Sequence, residues 1–180
     1  MTRLTRTCTA LLIAVVGLGA GHAATPKPKA APKPVELTGT VTRVVDGDTL
    51  WVKTAADAEP VVVRIEGIDA PESCQPGGAE ATARLVELVL HRSVTVKPSA
   101  HDDWGRTVGK VLDGTVDVGD RMVRDGQAWS QRWKYDRGPY VAEERMAQSL
   151  KRGLHAAGGA LEPREFRKRH GPCEVPAAPK

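Results

Sequence analysis

The chain has 180 residues and a formal net charge of +4, but the charge is unevenly placed. Residues 37–150 carry 14 basic and 18 acidic side chains, a net of −4, while residues 24–36 add +2 and the stretch from Lys151 adds +4. This excludes a domain that grips polyanions through its whole surface, and it leaves room for one domain with two basic arms.

Residues 1–23 read as a secretory signal peptide: Arg3 and Arg6 form a basic start, residues 9–20 an apolar run, and Gly21-His22-Ala23 a small-residue cleavage site. The apolar run is too short for a membrane span of about 20 residues, and no span is expected once the signal is removed. Cys8 precedes that run, so it offers no lipid-attachment site, and the arginine spacing is not a twin-arginine signal. The expected location is therefore the periplasm or the extracellular medium. Removal of Cys8 leaves Cys74 and Cys173 as an even pair in an oxidising compartment, and a disulfide between them is predicted. It would tie the C-terminal tail beside Glu72, and on the chain-entropy view a loop of roughly 100 residues is worth up to about 4–5 kcal/mol. Residues 24–36, rich in Pro, Lys and Ala, have nothing to bury and read as an extended linker.

From Leu37 the pattern is β. Strands are predicted over 38–46 and 49–54, joined by a turn at Gly47, and over Glu59 to Ile68. Alternation in the third places Val61, Val63 and Ile65 on one face and Arg64 and Glu66 on the other. A helix is predicted from Ala79 to His91, with Ala81, Leu85, Leu88 and Val89 as its apolar stripe. Strands follow at 93–98 and 107–112 around the polar stretch HDDWGR. Asp117 should cap a short helix through Arg124, and a last helix should run from about Pro139 to Arg152. Met122, Val123, Met146 and Leu150 are assigned to packing, and Trp51 and Trp129 to structural roles. Five strands with a helix between the third and fourth is the order of an OB-fold barrel, so the expected fold is mainly β with about three helices over 37–157, followed by a basic tail over 158–180.

The chemistry concentrates in residues 42–72, where Asp46-Gly-Asp48 and Asp69-Ala-Pro-Glu72 each follow a β-branched run. A closed sheet could bring both to one rim, with Arg64 on the strand leading into the second. Carboxylates from two such clusters suit a hard divalent cation, for Ca²⁺ at about 2.3–2.6 Å, with carbonyls and waters completing the shell. A further carboxylate could take a proton from an attacking water while arginines hold a phosphate. Taken alone, each cluster is equally an ordinary turn of Asp, Gly and Pro. An EF-hand is excluded, because the third ligand and its glycine are missing after Asp48-Thr49. His91, His101, His155 and His170 lack the paired spacing of a zinc or His-metal site.

Three spaced strings, VVDGDTL at 44–50, VRIEGIDAPE at 63–72 and DDWGR at 102–106, together resemble the thermonuclease family of staphylococcal-nuclease-like domains, in order from about Leu37 to about Leu154. The resemblance implies an OB-fold and Ca²⁺-dependent, sugar-nonspecific hydrolysis of DNA and RNA to 3′-phosphates, with single or locally opened strands preferred, by a monomer. It makes Asp48, Asp69 and the carbonyl of Ala70 the ligands of Ca²⁺, with Asp46 in the outer shell. Glu72 matches the glutamate assigned as general base, and Arg64 and Arg106 match the two arginines on the scissile phosphate.

The chain departs from that pattern in two places. Asp103-Trp104 stands where the family's reference member has Lys-Tyr, which removes a basic contact and a phenol, and Trp104 could instead stack on a base. Residues 128–140, AWSQRWKYDRGPY, do not align cleanly with the family's tyrosine-bearing loop. Trp133 and Tyr135 are candidates there for nucleotide contacts, with packing as the other reading. The competing functional reading is a noncatalytic OB module that binds nucleic acid or a protein partner at the envelope; a third is a structural domain held by its linker to an anionic surface.

Overall fold

Val41, Leu50 and Val52, and Val63 and Ile65, alternating inward within three successive strands, supply one wall of a barrel, and the strands close around them. The computed structural model describes residues 35–173. The expected signal peptide, nearly all of the expected linker and the last seven residues of the chain lie outside the described residues. Strands β1 (Leu37–Val44), β2 (Thr49–Lys53) and β3 (Val61–Ile65) form an antiparallel meander, with a bulge in β1 between Val41 and Arg43. After the two-residue strand β4 (Ile68–Asp69) and helix α1 (Gly78–Val89), β5 (Ser93–His101) pairs with β1, and β6 (Thr107–Asp113) pairs with β5. Strand β6 then runs parallel to β3, with Val63 beside Thr107 and Ile65 beside Gly109, which closes a five-stranded OB-fold barrel.

Val41, Leu50, Val52, Val63, Ile65, Val94, Val96 and Val111 fill the interior. Ala81, Leu85 and Val89 of α1, with Met122 and Val123 of α2 (Val118–Arg124), complete the same core. Each of the larger side chains contributes about 1.5–3 kcal/mol by leaving water. Asp117, in the short strand β7 (Val116–Asp117), caps α2 as expected, its carboxylate accepting from the backbone N–H groups of Gly119 and Asp120. It also accepts from the hydroxyl of buried Tyr140 at 2.9 Å.

The elements depart from expectation in three ways. The third strand ends at Ile65, because Glu66 and Gly67 form a turn in which Gly67 takes a positive φ of 80°, and β4 then leaves the barrel to pair with β8 (Trp129–Ser130). Helix α3 (Val141–Ser149) starts after Pro139, because the Tyr140 N–H is tied to Ser130 Oγ at 3.0 Å and Tyr140 stands at the helix start. It buries Glu144 and Ala147, so Met146 and Leu150, assigned above to packing, lie on the opposite face, 46% and 55% exposed. The inward glutamate explains the error, since an apolar stripe marks the buried face only when the buried face is apolar. Glu144 accepts from the Ser130 N–H, from Arg132 at 2.6 Å and from Gln148 at 2.9 Å, which satisfies its charge in the interior. Trp129 is buried, as a structural role requires, and half-buried Trp51 lies under the Arg43 guanidinium.

The third departure is in the tail, which carries a fourth helix, α4 (Pro163–His170), preceded by a 3₁₀ turn (Gly153–His155). Pro163 at its first turn presets the helical φ, and Pro163 and Phe166 are buried while its basic side chains stay outside. The predicted disulfide is present: Cys74 and Cys173 are bonded across 99 residues, and the Cys74 N–H also points at Cys173 Sγ. Among the described residues, no helix is long and apolar enough to cross a membrane.

Candidate active site

The two acidic clusters meet because small residues let their turns touch. Gly47 sits where a Cβ would fall 2.7 Å from Ala70 Cβ and 2.8 Å from Ala81 Cβ, so the 46–48 turn rests on the 69–72 loop and on α1. A Cβ on Gly78 would lie 2.1 Å from the Glu72 carbonyl oxygen, so the start of α1 presses directly on the backbone of Glu72. The Glu72 N–H is held by Gln75 Oε1 at 3.2 Å.

At the junction, Arg64 of β3 donates from Nη1 to Asp48 Oδ2 at 3.0 Å and from Nη2 to Asp69 Oδ1 at 3.2 Å. All three side chains are largely buried, 10–16% exposed. Asp48 also accepts from Thr49 Oγ1 at 2.9 Å and from the Ala70 N–H at 3.3 Å, and its own N–H donates to Asp46 Oδ1 at 3.0 Å. Arg64 thus points away from the barrel core, as the alternation requires, yet it is enclosed by carboxylates and not by water.

Arg106 reaches the same rim from the turn between β5 and β6. Asp102 aligns it, accepting from Nε at 2.7 Å and from its backbone N–H at 2.9 Å, and Nη1 extends to Thr49 Oγ1 at 3.4 Å. This pairing holds the Asp102 carboxyl below its usual range: burial raises it, and the hydrogen bonds from Arg106 outweigh burial. Trp104, 80% exposed, lies beside the Arg106 guanidinium, which is 5.3 Å from its ring centroid.

The structure therefore brings together Asp46, Asp48, Arg64, Asp69, Ala70, Glu72 and Arg106, with Trp104 at the edge. Trp133 and Tyr135 stand apart in the exposed loop 131–138, where Tyr135 is fully exposed. Among the described residues, no hydrogen bond or ion pair links either to the acidic cluster. At 67% and 100% exposed, neither Trp133 nor Tyr135 packs in the core. Sequence reasoning weighed Arg167 only as part of the basic stretch 166–170 and missed its place in the site: its guanidinium, carried by α4, meets Glu72 Oε1 through Nη1 and lies 3.8 Å from Asp69 Oδ2 through Nη2.

Charge is not balanced here. Asp46, Asp48, Asp69 and Glu72 face Arg64 and Arg167, because Arg106 is matched by Asp102. Burial first and the neighbouring Asp48 second push both Asp46 and Asp69 up to about 6, and in Asp69 this holds against the pull of Arg64 and Arg167. Arg64 is held above its ordinary value, its burial outweighed by Asp48, Asp69 and Asp46. A surplus of buried oxygen anions fits a hard divalent cation. Among the described residues no three His, Cys, Asp or Glu side chains form a metal cage, so such an ion would rely on Asp48, Asp69, a backbone carbonyl such as that of Ala70, and water.

An OB-fold barrel with an Asp–Arg–Asp cluster and a second oriented arginine on one rim defines a small barrel protein whose charged side chains gather at a single rim. The chain belongs to the family of staphylococcal nuclease homologues, whose sequence profile matches residues 62–157. It is 31% identical over 144 residues to a micrococcal nuclease of Shigella flexneri, covering 74% of this chain and 82% of that protein. It is 36% identical over 137 residues to an uncharacterized endonuclease of Escherichia coli O157:H7, covering 74% and 87%. A probable staphylococcal-like nuclease of rice (Oryza sativa subsp. japonica) is 40% identical over 112 residues, 61% of this chain, of which the chain spans about a third of the length, 34%.

Proposed function

We propose that the protein is an exported, Ca²⁺-dependent, sugar-nonspecific endonuclease that hydrolyses phosphodiester bonds of DNA and RNA, preferring single strands and leaving 3′-phosphates. The observation that carries this reading is the convergence of Arg64, Arg106 and Glu72 on the rim that holds Asp48 and Asp69. The family supports a nuclease, and the signal-like residues 1–23 and the disulfide support export.

In this reading Arg64 and Arg106 bind the non-bridging oxygens of the scissile phosphate, where planar guanidiniums match the geometry and meet the charge that grows in the transition state. Glu72 accepts a proton from the attacking water, the new P–O bond forms, the bond from phosphorus to the 5′ oxygen breaks, and that oxygen takes a proton from solvent water to leave as a 5′-hydroxyl. Asp48, Asp69 and the Ala70 carbonyl would hold a Ca²⁺ ion, with Asp46 outside them, and the bound ion would supply charge neutralisation at the phosphate. Trp104 stacks on a base without reading its identity, which suits strands whose bases are open. Nothing in this set addresses the 2′-hydroxyl, so both DNA and RNA fit.

The test is cleavage of labelled single-stranded DNA and RNA by the secreted form with Ca²⁺ and with EGTA, followed by end-group analysis. Cutting in Ca²⁺ alone, with 3′-phosphate ends on both polymers, is expected. Binding without cutting would favour the noncatalytic OB module, a reading helped by the engagement of Glu72 with Arg167.

A further inference from the structure

The nuclease reading uses two arginines, but the site holds a third that it leaves without a task. Arg167 comes from α4, 95 residues beyond Glu72 in the chain. Two anchors bring it there: Phe166 and Pro163 are buried on one side of the helix, and Cys173, three residues past its end, is bonded to Cys74, two residues past Glu72. An exposed ion pair formed by a loose tail would be worth little. This one is built by a helix, a buried aromatic and a covalent bond.

The other charges of α4 have partners of their own or face outward. Glu165 takes Arg169 at 3.0 Å and Lys168 at 3.6 Å, so these two basic groups are met within the helix. Among the described residues, the acidic partners of Arg167 are both in the site, Glu72 and, more distantly, Asp69. Its side chain is 41% exposed against 26% for Glu72, so a polyanion arriving at the rim meets the guanidinium before the carboxylate beneath it.

We propose that Arg167 is a third phosphate-binding guanidinium, which leaves Glu72 for a backbone phosphate of the incoming strand and thereby frees that carboxylate. The inference rests on the nuclease reading of the site and adds a residue to it. A phosphodiester competes well for the guanidinium, since it offers the same fork of oxygens as a carboxylate and carries its charge on the solvent side. The exchange ties strand binding to the release of Glu72: without a strand the carboxylate stays paired, and with one it becomes available to a water. Residues 163–170 are then part of the nucleic-acid-binding surface, and the disulfide fixes the position of that surface relative to Glu72.

The experiment compares the wild type with Arg167→Gln and with Arg169→Gln, which removes the same charge from the same helix where Glu165 holds it. The probe is a fluorescein-labelled phosphorothioate oligothymidylate, bound in Ca²⁺ and read by anisotropy over a series of salt concentrations. Arg167→Gln is expected to weaken binding about three- to tenfold at low salt, because the gain of a phosphate contact is partly offset by loss of the Glu72 pair. It is expected to flatten the slope of log affinity against log salt by about 0.7, the loss of one contact to a single strand. Arg169→Gln is expected to keep the wild-type slope, and Arg167→Lys to restore it with part of the affinity. Matching thermal melts of the variants show that α4 remains in place.

An unchanged slope in Arg167→Gln, or an equal fall in Arg169→Gln, overturns the proposal while the nuclease reading stands on wild-type cleavage. Faster cutting by Arg167→Gln with unchanged binding also overturns it, and makes the pair with Glu72 a simple block. A wild type that neither binds nor cuts the strand removes both readings.

Discussion

Arg64 of β3 and Asp48, in the turn just before β2, lie 3.0 Å apart, both largely buried, and the same guanidinium reaches Asp69 at 3.2 Å. Two acidic turns that would repel each other are held by one cation. Removing that cation leaves two enclosed carboxylates without a partner, and breaking a buried pair costs about 3–5 kcal/mol where water cannot reach. Arg64→Gln is therefore expected to lose about 2–4 kcal/mol of stability in chelator, less than the full figure because the rim is partly open. Ca²⁺ is expected to return part of it. Urea melts of the variant and the wild type, with and without the ion, measure both.

A pH dependence follows from the excess of carboxylates. Asp46 and Asp69 are pushed up to about 6 in the folded chain, against about 3.9 when unfolded, so between those values the folded state holds more protons. Stability from these two groups must then fall as pH rises from about 4 to about 6, and it stays low above that window. Asp46→Asn removes one such group and keeps an oxygen for the Asp48 N–H. Without metal, the variant is expected to exceed the wild type by about 1–2 kcal/mol near pH 7.5 and to match it near pH 4. Denaturant melts at the two pH values decide this, and in Ca²⁺ the gain should shrink or reverse.

The Cys74–Cys173 bond closes a loop whose ends are 99 residues apart and fixes α4 beside Glu72. Replacing both cysteines by serine is expected to cost about 2–4 kcal/mol. Because α4 is otherwise held by Phe166, Pro163 and the ion pairs of Arg167 and Glu162, early trypsin cleavage at Arg164 and Arg167 should accompany that loss, ahead of any cut in the barrel. Mass spectrometry of a brief digest reads the order of cutting.

Trp104 is 80% exposed and touches Arg106, so its removal should leave the fold intact and weaken the hold on open bases. Trp104→Ala is expected to raise KM for a single-stranded substrate by about 5- to 150-fold, corresponding to about 1–3 kcal/mol for one stacked base, with a small change in melting temperature. Tyr135 is fully exposed, and Tyr135→Ala tests whether loop 131–138 adds a second platform: a rise in KM comparable to that of Trp104→Ala is the expected result if it does, and an unchanged KM excludes it.

Much of the site was legible because its parts are local. Asp46 and Asp48 frame one turn, Asp69 and Glu72 another, and strand alternation alone placed Arg64 away from the barrel core. The order of five strands with a helix between the third and fourth pointed to the barrel that the pairing of β3 with β6 closes. What was not legible depended on contacts between distant, unremarkable side chains. Glu144 is buried because Arg132, Gln148 and the Ser130 N–H converge on it, and none of these is near it in a pattern that composition reveals. Its burial turned α3 over and exposed Met146 and Leu150. The stretch FRKRH at 166–170 reads equally as a tail that adds non-specific phosphate affinity and as a merely solvated one, and Arg167 looks no different there from Arg169. The usable signals were Pro163 as a helix start, Phe166 one turn later and Cys173 just beyond, which together mark a short helix tied to the site.

The most direct test of the central claim is single-turnover cleavage of a labelled single strand by the wild type and by Glu72→Gln, in Ca²⁺, with binding of the same strand measured in parallel. Glu72→Gln is expected to bind the strand at least as well as the wild type and to cut it slower by about 10²–10⁴-fold, the range for loss of a positioned base. Equal cutting rates for the two proteins would contradict a catalytic role for Glu72, and with it the reading of this rim as a hydrolytic site.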